Sequence, residues 1–76
     1  MIATIAKIEA TPTGIKVIVT YTEGAFKAQE TFMYAYNSGI TQVQAVNDIK
    51  AKGNEFKATL TTVATLQSKV GTQITI

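Results

Sequence analysis

The sequence predicts an α+β domain: an antiparallel β-meander of three to four strands, then one long or two short helices packed on one face, then a short C-terminal strand. Three observations carry this reading. Apolar residues recur mainly with period two up to Asn37–Gly39 and at intervals of three and four beyond it. Turn-forming residues punctuate the first half at Thr11–Gly14 and again at Glu23-Gly24. The length of 76 residues, with 46% hydrophobic content, supplies one small core. A single domain over 1–76 is expected, with the β-meander at 1–36, the helical region at 41–70 and the terminal strand at 72–76.

The first strand is placed at Ile2–Ala10. Its period is irregular, because Ile5 breaks the alternation set by Ile2 and Ile8, and a bulge near Ala6 is expected to reconcile them. In Thr11-Pro12-Thr13-Gly14, proline presets φ at the second turn position and glycine tolerates the unusual backbone at the end. The second strand, Ile15–Thr22, alternates cleanly. Ile15, Val17, Val19 and Tyr21 form one face, with Lys16, Ile18, Thr20 and Thr22 on the other. Glu23-Gly24 reads as a tight hairpin turn into a third strand from Ala25 to Tyr36. There Phe26, Ala28, Phe32, Tyr34 and Tyr36 share a face.

Thr41 and Gln44 have the spacing of a capping box at a helix start. From that point Val46, Ile49, Gly53, Phe56, Leu60, Val63 and Val70 follow a 3-4 repeat, with Gln67 in the remaining slot. Asp48 precedes Lys52 by four residues, the favourable order for a helical ion pair. Gly71 reads as the residue that ends the helix. Thr59, Thr61, Thr62 and Thr65 are poor helix formers, and Gly53-Asn54 reads as a stop and restart. An unbroken helix over 41–70 spans about 45 Å, whereas a compact chain of this size is only ~30 Å across. A break or bend at Gly53 is therefore expected. Ile74-Thr75-Ile76 alternates like a short strand and is expected to pair, with the chain's own sheet or with a neighbour's edge.

Composition narrows the chemistry. The chain has no histidine, cysteine, arginine or tryptophan. No side chain has an ordinary pKa near 7, no thiolate can attack or ligate, and no guanidinium can grip a phosphate. The five glycines, at 14, 24, 39, 53 and 71, sit at junctions and make no phosphate loop. No catalytic residue, cofactor or metal site is predicted. Glu30 is the one charged residue on the aromatic face of the third strand; a carboxylate in an apolar cleft is a candidate acid, but with no histidine or second acid in register it reads as an edge position near solvent, or as a bulge that turns the side chain outward. The Met1–Ala10 segment does not form a secretory signal, and no stretch has the roughly 20 apolar residues of a membrane helix. The expected location is cytoplasmic or virion-associated, with no membrane partner.

Two functional readings remain. The first is a non-enzymatic structural or protein-interaction module acting through self-assembly or a protein partner. Its surface is drawn from Val46, Ile49, Gly53, Phe56, Leu60, Val63, Val70, Ile74 and Ile76. In outline, hairpins followed by a helix, the chain resembles small phage-encoded proteins. That resemblance implies a virion-type component and transfers no functional residue. The alternative is a small nucleic-acid-binding module in which Lys16 and Lys27 meet phosphates while Tyr21 and Tyr34 stack on bases. The net charge is only +2 and the seven lysines are scattered, so this alternative is not favoured.

Overall fold

The computed structural model describes residues 1–76 and contains three strands and one helix: β1 (Ile2–Thr11), β2 (Gly14–Glu23), β3 (Phe26–Ala35) and α1 (Gln42–Gln67). The strands form one antiparallel sheet in the order β1-β2-β3. Both hairpins have two-residue loops. In the first, the Thr11 hydroxyl accepts from the Thr13 and Gly14 amides at 3.3 and 3.1 Å, so a side chain closes the turn that proline bends. In the second, Gly24 adopts φ +57° at the first loop position, the site where a hairpin turn of this class takes glycine.

The irregularity expected in β1 is present. Its register against β2 shifts between Ile5 and Lys7, which places a bulge at Ala6. The extra residue turns Ile5 and Ile8 to the same face, opposite Val19 and Val17 respectively. Ile2, opposite Thr22, is left on the other face. A single bulge aligns two of the three isoleucines, not all of them.

Helix α1 lies across the inner face of the sheet. Its N-terminus carries the expected capping box: the Thr41 hydroxyl accepts from the Gln44 amide at 3.2 Å, and the Gln44 side chain accepts from the Thr41 amide at 3.0 Å. The core is small, consisting of Val17, Val19 and Tyr21 from β2 and Ile49 from α1. Ile15, Phe32, Tyr34 and Phe56 pack around it. Tyr21 is the keystone. Its hydroxyl donates to the Ile49 carbonyl at 2.8 Å, and its ring stands 5.0 Å from that of Phe56. Phe26 meets the other side of Phe56 at 5.5 Å. These tilted pairs are the geometry aromatic quadrupoles favour.

Four sequence expectations are corrected. The helix does not break at Gly53. It runs unbroken for 26 residues, about 39 Å. Glycine is there for proximity: a Cβ at Gly53 would lie 3.3 Å from Tyr21 Cε1, so the missing side chain lets the helix settle on the ring. The helix also ends at Gln67 rather than Val70. Residues 68–71 continue as turns, with Gly71 at φ +86°. The C-terminal strand is not formed, and residues 72–76 have no regular structure. The sheet therefore has three strands. Finally, Asp48 does not pair with Lys52. Asp48 accepts from the Tyr34 hydroxyl at 2.8 Å, and Lys52 pairs with Glu55 at 3.2 Å. Lys52 Nζ lies 5.5 Å from the Phe56 ring centroid, where Glu55 rather than Asp48 reaches it.

The long helix sets the shape. The molecule measures 55 × 27 × 20 Å, with a radius of gyration of 17.0 Å. A compact chain of this length has a radius near ~11 Å. Beyond Leu60 the helix has left the sheet behind, and residues 61–76 are all exposed.

Candidate interaction surface

A helix with its side chains is about 10–12 Å wide, and strands are about 4.8 Å apart. One helix therefore covers about two strands, and here the flank of β1 is left open. Ile5 and Ile8 face the helix side of the sheet yet remain 49% and 61% exposed. Between them and the first half of α1 lies a groove of about 380 Å³, walled by Ile5, Ile8 and Ile15 on the sheet and by Ala45, Val46 and Ile49 on the helix. A smaller groove of about 250 Å³ continues past Met1 and Ala3 beneath Gly53, with Lys50, Asn54 and Lys57 on its rim.

The second apolar surface is the projecting half of α1. The 3-4 stripe divides between two environments. Ile49 is buried, Gly53, Phe56 and Leu60 are half-buried, and Val46 lies at the groove edge. Val63 carries the stripe onward past the sheet, 41% exposed, and Val70, in the turn beyond the helix, is 82% exposed. Ile74 and Ile76 are fully open to solvent. The structure thus gathers the first part of the stripe onto the chain's own sheet and leaves the second part unpartnered.

This projecting segment is chemically unusual for an exposed helix. No charged residue occurs between Lys57 and Lys69. The hydroxyls of Thr59, Thr61, Thr62 and Thr65 each donate to the carbonyl four residues earlier at 3.1 Å. The threonines counted against a helix are thereby accommodated by it. Their donors are already satisfied. Leu66, 63% exposed, flanks the stripe. It lies outside the 3-4 positions, so periodicity alone passes over it, and the signal that finds it is the uncharged run around it. No helix of the chain is long and apolar enough to cross a membrane.

The four residues of the nucleic-acid alternative are not brought together. Tyr21 has no exposed surface and Tyr34 is half-buried, both on the inner face. Lys16 and Lys27 are on the outer face. Lys16 stands opposite Met33, six residues from Lys27 along β3, or about 20 Å. Lys16 also pairs with Glu9 at 2.6 Å, and Lys7 approaches the same carboxylate at 3.1 Å. The hydrogen bonds from Lys16 and then Lys7 hold the Glu9 carboxyl below its ordinary range. Glu30 faces the helix side of edge strand β3, half-buried, in a register with no irregularity.

The Tyr34 phenol is pushed up to about 12, first by burial and then by its bond to Asp48. Burial, followed by the charge of Glu30, also raises Tyr21. The unfolded phenol loses its proton near pH 10 while the folded one keeps it, so the folded state binds more protons in between. This stabilisation is complete below pH 10 and is lost as pH rises toward 12. Thermal melts of the parent and a Tyr34→Phe variant over that range should show the parent losing more stability. Parallel losses would remove Tyr34 as a source.

Comparison of the chain with protein-family models, with curated proteins and with solved structures finds no match.

Proposed function

We propose that this chain is a non-enzymatic structural module that acts by self-assembly, with a virion-type component as the setting its outline points to. One observation carries the reading. The folded chain exposes 5818 Å², whereas a compact monomer of its mass exposes roughly 4,500 Å². The excess of roughly 1,300 Å² is comparable to one partner's share of an obligate interface, which buries about 2,000 Å² or more in total. Much of the uncovered surface is apolar: the flank of β1, the second half of α1 and the C-terminal residues. Two of the five carboxylates are engaged in structural contacts, Glu9 by two lysines and Asp48 by Tyr34.

Light scattering across a hundredfold range of concentration tests this. The expected result is a mass that is a multiple of the 8.1 kDa chain and that falls only on strong dilution. An 8.1 kDa species at every concentration would overturn the reading.

A further inference from the structure

We infer that two copies of this chain pair through the second half of α1, the helices running antiparallel about a two-fold axis level with Thr65. The inference rests on the self-assembly reading and specifies its partner and geometry.

The stripe is the first argument. Its positions alternate by three and four along the whole helix, so they face one side throughout, apart from a slow drift. On that side the first half meets the sheet. The second half, with Val63 and Gln67, overhangs the end of the sheet with nothing beneath it, and Val70 follows in the turn after the helix. Whatever covers it must enter from the sheet side, beyond the sheet's end.

Chemistry is the second argument. An occupant bearing charge would find no counter-charge between Lys57 and Lys69. The threonine hydroxyls on this segment are bonded back to the helix, so burying it orphans no donor among them. The surface that fits is another uncharged apolar helix with the same spacing, and a second copy carries one.

Direction follows from sterics. In a parallel pair both sheets would lie on the seam side of their helices at the same end, and they would compete for the same space. In an antiparallel pair the sheets stand at opposite ends, and each overhang fills the notch of the other. This is an isologous contact, closed by its own symmetry. An antiparallel 3-4 seam matches alternate positions of the two helices. That sets Val63 against the partner's Gln67, the last stripe position inside the helix.

The chain has no cysteine, so engineered thiols report without background. Val63→Cys and Gln67→Cys are made separately, one of them isotope-labelled, then mixed under reduction and oxidised. Both positions are exposed in the single chain, so neither change disturbs the core. Disulfides require Cα atoms within about 7 Å. The antiparallel seam brings the two different positions together and offsets like positions by about four residues, or ~6 Å along the axis. The expected result is mixed disulfide dimers well in excess of the two like-with-like species combined. An excess of like pairs would show a parallel seam and overturn the inference. So would the absence of cross-links while the parent still scatters as an oligomer, an outcome that leaves self-assembly standing through another surface. A monomeric parent would overturn both.

Discussion

Replacing Tyr21 with alanine is expected to unfold the domain. Tyr21 has no exposed surface, lies close enough to Gly53 that a Cβ there would come within 3.3 Å of its ring, meets Phe56 in a tilted pair and bonds the helix at Ile49. Removing a buried aromatic ring costs about 3–5 kcal/mol. A chain of this size has a total stability of about 4–11 kcal/mol, and with four apolar residues in its core this one stands toward the lower end. Tyr21→Phe separates the two roles of the side chain. It keeps the ring and removes only the hydroxyl, so its cost should be about 1 kcal/mol. Urea titration followed by circular dichroism measures both. A Tyr21→Ala chain that unfolds cooperatively near the parent midpoint would show that the helix is held by something other than this contact.

The second large effect is expected at Gly14. A Cβ there would fall 1.9 Å from the Tyr34 carbonyl oxygen and 2.9 Å from its carbon. These are backbone atoms of the paired strand, so no rotamer change relieves the overlap. Gly14→Ala must push β3 away from the start of β2, at the upper end of the ~1–3 kcal/mol typical of overpacking or above it. Gly24 supplies the control. It has φ +57° with nothing within 4 Å of the missing side chain, and asparagine tolerates that conformation. Gly24→Asn should therefore cost much less than Gly14→Ala in the same titration. Equal losses would mean that turn conformation, rather than strand proximity, governs the hairpins.

The contrast between these glycines shows which parts of the structure were legible in the sequence. Strand positions followed from local rules. Alternation in Ile15–Thr22, the proline turn and the Thr41–Gln44 cap each depend on neighbours within four residues, and all appear in the structure. Gly53 was read by the same local rule as a stop. Its real role depends on Tyr21, 32 positions earlier in the chain, and no local pattern records that contact. The compactness argument failed for a related reason. It assumed that one chain must cover its own apolar stripe, whereas the helix runs on past the sheet. The terminal strand failed because alternation in Ile74–Ile76 gives a propensity without a partner, and the helix carries these residues away from their own sheet. In the candidate surface, the exposed stripe was named by position, but its division at Leu60 was visible only once the length of the sheet was known.

The bulge at Ala6 bears on how such molecules stack. A three-stranded sheet has two free edges, and a free edge is a template on which further strands can add without end. At Ala6 the ladder of β1 slips by one residue, so an incoming strand cannot keep one register along the whole of this edge. The edge of β1 is thereby a poor seed for fibrils, although isoleucines line the strand. An assembly that lengthened the sheet would have to add to the regular edge of β3, so the bulge confines strand addition to one side.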